Sequence, residues 1–479
     1  MTETASQAAK PQKPTPPRLA AEVQRLFEQA NERQKTGDQA GAIELYNQLI
    51  ERYPGLPDAY NNLAVVLKAT KKIPAAVACL RRAVQLAPRS AGAHSNLGNV
   101  LWMALEFEES MAHFQEALRL DATRPEIYHN LGLLHFSLGD YAAAIDCFDR
   151  SLAIRPEARL VRWDRALALL ASGDLARGFA AYDERFDLDD PSMGFDRKLR
   201  SVRSIKLPLW RGEDIAGRTL WIYSEQGYGD TLQFCRFIPL VARRGARVIF
   251  DCPPELLRLM GNFPGVAELR KEGSAPPQAD YHLPLMSLVD RLAVTRDTIP
   301  ADVPYLTPPP VVSAPRLTRP AGTRFAAGIV WAGRPQHAND HNRSLTLDLL
   351  LSLCDLPGLS LYSLQMGPRV RDIADLSVQA VVRDLSPQIR DFADTARFIQ
   401  QLDVVITIDS AVAHLAGALG RSTAVLLAYT PDWRWMGARG ERTPWYPTLR
   451  LFRQQSPGDW KGVVKRLHDT LARTIAQRK

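Results

Sequence analysis

The stretch from Leu402 to Gly420, L-D-V-V-I-T-I-D-S-A-V-A-H-L-A-G-A-L-G, ends an apolar run on Asp409 and Ser410 and sets His414 inside the next one. A helix beginning at Ala411 offers unsatisfied N–H groups and the positive end of its dipole to an anion. Asp409 or Ser410 suits the cap of that helix. His414, one turn in, suits the same anion. Capping alone, and a satisfied half-buried histidine, are the plainer uses of these residues. Upstream, T-L-W-I-Y-S runs into E-Q-G-Y-G-D-T, where Gly227 and Gly229 permit a tight turn and Asp230 arrives near a helix start. A carboxylate there serves either as a general base toward a hydroxyl or as a helix cap. Two more polar segments follow apolar runs: Trp331 to Arg343, and Gln365 to Arg369. The first contains H-A-N-D-H, with His337 and His341 at metal-like spacing beside Asn339 and Asp340. No third ligand is evident, so a substrate-facing polar loop is expected and no metal or other cofactor.

Short apolar strands alternating with amphipathic helices must position these residues, and such alternation makes parallel sheets with crossover helices. Strands are expected at T-L-W-I-Y-S, R-V-I-F-D-C-P, F-A-A-G-I-V-W-A-G, L-S-L-Y-S-L-Q and V-V-I-T-I-D. A Pro-rich connector, Pro304 to Pro320, divides them into lobes over 218–310 and 322–479, with 311–321 as linker. Ligands of such sheets sit beyond the strands' carboxyl ends, where all the segments above lie. A dinucleotide fingerprint is missing, since G-Y-G-D-T-L-Q lacks the third glycine. The aromatic clusters D-W-R-W-M (Asp432 to Met436) and P-W-Y-P (Pro444 to Pro447) suit either stacking on a ligand or packing between lobes, with packing favoured for Trp445 and Tyr446.

The N-terminal part repeats itself. Pro54 and Pro88 are 34 residues apart and Pro156 lies two periods further; N-L-A or N-L-G begins at Asn62, Asn96 and Asn130. Gly139 and Gly173 each precede Asp, and Tyr46, Leu80, Phe114, Phe148 and Tyr182 form another column. A helix-turn-helix unit repeated about five times explains the columns. The pattern resembles the tetratricopeptide repeat (TPR) family over 19–186. Residues 1–18 read as a disordered Pro-rich tail and 187–217 as a linker, with Asp187–Asp190 a solvated acidic loop. Asn62, Asn96 and Asn130 read either as a ladder clamping the backbone of a peptide or protein on the concave face, or as a residue common at that repeat position.

Composition narrows the class. The 479 residues are 46% hydrophobic and 23% charged, with net charge +8. That excess suits an anionic ligand, and the absence of a dense Lys/Arg block argues against nucleic acid. No apolar run of about 18 residues suggests a membrane span. Five scattered cysteines without a C-x-x-C and an N-terminus without an apolar core point to a cytoplasmic protein.

With these residues in view, the region from Thr219 to Leu467 resembles glycosyltransferase family 9, the heptosyltransferase-like enzymes of the GT-B fold. Gly229-Asp230 matches the family's G-D after the first strand, and Asp409 to Gly420 its D-[TS]-G-x-x-H-L-A-A-A-L-G segment. Arg343 stands where the family has Lys, and Ala411 where it has Gly. The resemblance implies an all-α TPR solenoid followed by an α/β GT-B module of two Rossmann-like doubly wound lobes. It implies metal-independent transfer of a sugar from a nucleotide-sugar donor to an acceptor presented by the array, a protein in the first instance. Some relatives of that layout modify flagellin. Asp230 would be the base, with Arg343, Gln365, Asp409, Ser410, Ala411 and His414 on the donor side and Gly227, Gly229, His337, Asn339, Asp340 and His341 around the substrate. The departures at 343 and 411 leave the donor open. The alternatives are a TPR scaffold with an inactive module, or an epimerase sharing the two-lobed fold.

Overall fold

The structure, a computed structural model, describes residues 17–186, 202–310, 316–337, 339–436 and 440–477. Nearly all of the Pro-rich tail, the Asp187–Asp190 loop, the first half of the 187–217 linker and residues 311–315 of the inter-lobe linker lie outside that range. Contacts divide the chain into two compact units, Met1–Leu134 with Arg150–Pro156, and His135–Asp149 with Glu157–Lys479.

Among the described residues, ten helices follow one another along the N-terminal region: α1 (Pro17–Lys35), α2 (Gln39–Arg52), α3 (Pro57–Ala69), α4 (Ile73–Leu86), α5 (Ala91–Met103), α6 (Phe107–Leu120), α7 (Pro125–Ser137), α8 (Tyr141–Ile154), α9 (Arg159–Ser172) and α10 (Leu175–Tyr182). The sequence columns have physical causes. Pro54, Pro88 and Pro156 each lie two residues past the end of a helix that proline cannot continue. Within each pair the turn needs a left-handed residue: Gly37, Gly139 and Gly173 have φ of 86°, 77° and 92°. At the same column Lys71 and Leu105 adopt φ of 61° and 64°, a conformation that is costly for side chains with a Cβ. Asp38 and Asp174 follow two of those glycines and cap the next helix, accepting from the N–H of Gly41 and Arg177. Tyr46, Leu80, Phe114, Phe148 and Tyr182 are all buried. The small residue of N-L-G has a packing role at Gly98, where a Cβ would stand 3.1 Å from the Phe114 ring.

The second unit contains two sheets, both entirely parallel. The first has the order β3-β2-β1-β4, from β1 (Thr219–Tyr223), β2 (Arg247–Cys252), β3 (Glu268–Lys271) and β4 (Tyr281–Pro284). The second has the order β10-β9-β8-β5-β6-β7, from β5 (Phe325–Val330), β6 (Leu359–Ser363), β7 (Val382–Asp384), β8 (Val404–Ile408), β9 (Thr423–Leu427) and β10 (Leu449–Arg453). Both orders reverse direction beside their first strand, which puts switch points between β1 and β4 and between β5 and β8. The central strands β5, β8 and β9 are buried along their whole length, as parallel strands covered on both faces must be. The helix expected after β1 is interrupted: Tyr228–Phe234 passes through a 3-10 turn into Ile238–Arg243, with Pro239 in the first turn of the latter, where its missing N–H costs nothing.

The lobes are joined by more than the connector. The N–H groups of Tyr305 and Leu306 donate to the carbonyl of Ala418. Arg258 forms ion pairs with Asp391 and Asp394. Arg236 is 4% exposed and spends its guanidinium on the carbonyls of Gln233, Pro300 and Trp445 and on the Tyr305 hydroxyl. Its charge lies over the rings of Tyr305 and Tyr446, each 4.5 Å away. Among the described residues no carboxylate lies within ion-pair distance of it.

Candidate functional site

The strand-end segments of both lobes come together. The helix Tyr228–Phe234 lies against the helix Ala411–Ala418, so closely that a Cβ on Gly229 would be 2.9 Å from Cδ2 of His414 and 3.5 Å from Cα of Ala411. Gly229 thus permits the contact between lobes. Asp230, third in its helix, turns back so that Oδ2 accepts from the N–H of Gly227 at 2.9 Å. Its other oxygen pairs with Arg434. The carboxylate therefore does a capping job and also faces the opposite lobe.

Arg434 is the residue that motif reading missed. It lies in the D-W-R-W-M segment, whose tryptophans invite a stacking interpretation. Its guanidinium is buried, donates to Asp432 at 2.8 Å and to Asp230, and lies 4.4 Å from the centre of the Trp433 ring. Its Nε is buried without a hydrogen-bond partner. Burial works against the charge, but Asp230 and Asp432 more than offset it and hold the group firmly protonated. Trp433 packs against Phe179, Tyr182 and Phe234. Trp445 and Tyr446 are fully buried, against Phe234 and His414 respectively.

On the other lobe, Arg343 donates to the Asp340 carboxylate and to the Asp409 carbonyl, both at 3.3 Å. A side chain at Gly333 would collide with both Asp340 and Arg343, so that glycine makes room for the pair. Asp409 is half-buried, and desolvation, with Asp432 adding repulsion, pushes its carboxyl up to about 6.

Several expectations are corrected. Ser410 occupies the cap position of the helix Ala411–Ala418 but makes no side-chain capping bond; its hydroxyl pairs with Thr407 Oγ1 at 2.9 Å, and the helix start keeps its N–H groups unspent on a side-chain cap. The His414 ring, beside that helix start, is already engaged. Its ring stacks on Trp435 at 5.2 Å, and its Nδ1 is 3.1 Å from the Tyr446 hydroxyl. Burial, with Arg434 and Arg236 nearby, pulls its pKa well down, so the imidazole is neutral. Gln365 has no amide group left for a ligand. Its oxygen accepts from the N–H of Trp331 and Ala332, and its nitrogen donates to the carbonyls of Ala332 and Met366. It braces the β5 end. The H-A-N-D-H segment is not wholly loop: Asp340–Arg343 is a helical turn, with Asp340 committed to Arg343 and the N–H of Asn339 donating to His337 Nδ1, while His337 and His341 are exposed. The asparagine ladder is partial. Asn96 donates to Asn61, which in turn donates to Asn62, while Asn130 is half-buried at the equivalent position of α7.

The fold and the repeat columns define a class: a tetratricopeptide repeat protein whose helical array is followed by a parallel α/β region. Tetratricopeptide repeat models match residues 26–55, 58–95, 89–157 and 129–191. Among individual proteins, the chain is similar to Protein FlbA of Caulobacter vibrioides (strain ATCC 19089 / CIP 103742 / CB 15), with 26% identity over 438 residues, covering 86% of this chain and 72% of FlbA. It is also similar to anaphase-promoting complex subunit 3 of Schizosaccharomyces pombe (strain 972 / ATCC 24843), with 24% identity over 148 residues, 31% of this chain and 22% of that one. The crystal structure of MamA shares 22% identity over 32% of this chain and 91% of its own, at a TM-score of 0.30.

Proposed function

We propose that the protein is a glycosyltransferase of the GT-B type that moves a sugar from a nucleotide-sugar donor to a protein held by its repeats, with flagellin-like proteins among the candidates. One observation carries the reading: Asp230 lies in the helix after the first lobe's leading strand, beside Gly229, which packs against Ala411 and His414 at the switch point of the second lobe. The FlbA match is long enough to run through both the array and the α/β region. In this reading the uncapped helix start at Ala411 and Arg343 receive the donor's phosphates. Asp230, once released from Arg434, takes the acceptor's proton while the diphosphate leaves as the glycosidic bond forms. The repeats supply a protein-binding surface.

A second reading, a scaffold with an inactive module, is favoured by the state of Asp230, both of whose oxygens are occupied. A thermal-shift panel of nucleoside mono- and diphosphates and their sugars, on wild type and Arg343→Ala, separates the two. A ligand at a hundred times its Kd adds about 2.7 kcal/mol of stability. The transferase reading expects one nucleotide to raise the melting temperature and the variant to lose the shift. No shift with any of them supports the scaffold.

A further inference from the structure

We infer that Arg185, at the end of the last repeat, is a positioning residue for the loop that carries Asp230, so that α9 and α10 are part of the catalytic body. The inference rests on the transferase reading for its catalytic consequence. Its geometric part stands by itself.

Arg185 follows α10 in a 3-10 turn, Asp183–Phe186, and is 1% exposed; Glu225, two residues past β1, is 3% exposed. The guanidinium makes five hydrogen bonds. Nε and Nη2 grip the two Glu225 oxygens at 2.7 and 2.9 Å, Nη2 also reaches the Ser287 hydroxyl, and Nη1 donates to the Tyr182 carbonyl and to Asp183. The rings of Tyr182 and Phe186 lie 4.6 and 4.0 Å from its centre. Glu225 also accepts from the N–H of Met286, just beyond β4, at 3.0 Å. One carboxylate thus ties together the ends of the two strands that flank the first lobe's switch point, and a residue of the repeat holds that carboxylate in place. The next residue, Gln226, donates to the Tyr182 hydroxyl at 3.3 Å. The one after, Gly227, donates to Asp230. The loop is fixed by the repeat at one end and by the reacting carboxylate at the other.

Attachment alone does not call for this arrangement. A buried ion pair is expensive to desolvate, and apolar residues of similar volume commonly stabilise as well or better. What a fully satisfied, bidentate pair adds is direction: the fork fixes the carboxylate plane. An apolar contact would hold the repeat in place without fixing the loop.

The test compares Arg185→Met, the double variant Arg185→Met/Glu225→Leu, and Arg185→Lys in the full chain. The single Met variant strands a buried carboxylate and is expected to melt well below wild type. The double variant removes both charges and is expected to recover the melting temperature. Two further readouts decide the matter: amide hydrogen exchange at Gly227–Thr231, and transfer kinetics. Positioning predicts that the double variant exchanges roughly 10-fold faster at Gly227 and loses roughly 10- to 100-fold in kcat with little change in donor KM. Wild-type exchange and wild-type kcat in a well-folded double variant overturn the inference, because the pair would then serve stability only. Should the double variant not fold, Arg185→Lys, which keeps the charge and loses the fork, is read in the same way: faster exchange at Gly227 supports positioning, and unchanged exchange overturns it. A wild-type chain without transferase activity refutes the transferase reading, and exchange alone then decides the role of Arg185.

Discussion

Substituting alanine for Gly229 tests whether the helix carrying Asp230 is seated on the helix that begins at Ala411. The added methyl would lie 2.9 Å from Cδ2 of His414, closer than real Cβ atoms approach. His414 has little room to retreat, since its ring is stacked on Trp435 and bonded to Tyr446. Overpacking of this kind costs about 1–3 kcal/mol. Alanine in place of glycine within a helix returns about 1 kcal/mol. The net expectation is a loss of up to about 2 kcal/mol, or a melting temperature up to about 4 °C lower for a unit of this scale. Calorimetry of the single variants Gly229→Ala and His414→Ala and of their double variant gives the coupling directly. Because removing the ring relieves the clash, the two effects should be non-additive by about 1 kcal/mol or more. Strictly additive effects would refute the close approach and with it the seating of the Asp230 helix on the second lobe.

Three other outcomes follow from the structure. The Asp409 carboxyl is raised to about 6 from a model-compound value of 3.8, so the folded chain holds an extra proton between those values and the stability it confers is lost as pH rises through that window. Asp409→Asn should therefore gain about 2–3 kcal/mol in urea unfolding at pH 8 and nothing at pH 3.5; equal gains at both would refute the assignment. Leu105→Gly should stabilise the repeats by about 1 kcal/mol by relieving the left-handed backbone at that column, read by urea unfolding, and a loss would show that the leucine's contacts outweigh the strain. If the asparagines bind an acceptor protein, replacing Asn62, Asn96 and Asn130 together by Ala should raise the acceptor KM about 100-fold and leave the donor KM alone, since three lost backbone contacts of about 1 kcal/mol each sum to about 3 kcal/mol; an unchanged acceptor KM removes the ladder from the mechanism.

What the sequence disclosed depended on how local each signal was. A 34-residue period leaves a proline, a glycine-aspartate turn and an aromatic in register, so the repeats were legible residue by residue. Strands β1, β2, β5, β6 and β8 were legible as apolar runs. Others lacked that signal: β3, E-L-R-K, and β7, V-R-D, are short polar edge strands without a run of buried residues. Residues at strand ends were found because the chain order of strand and helix marks them. Their partners were not. Arg434 reaches an aspartate 204 positions away, and Arg185 a glutamate 40 positions away, and neither separation leaves a local pattern. Gln365 was misread because a polar residue at a strand end serves a ligand or the backbone equally well, and only the hydrogen-bond geometry tells which.

Arg236 bears on how freely the two sheets can part. A cation pinned among carbonyls and aromatic rings from both lobes and the connector acts as a rivet. Prising the sheets apart at that point would break the Trp445 carbonyl bond and the contact with Tyr446 in one step, with water left to supply the only replacement. Under the transferase reading, traffic into the cleft is then the business of the strand-end loops, and a cross-link across the lobes near Arg236 would leave turnover nearly untouched while one between those loops would stop it.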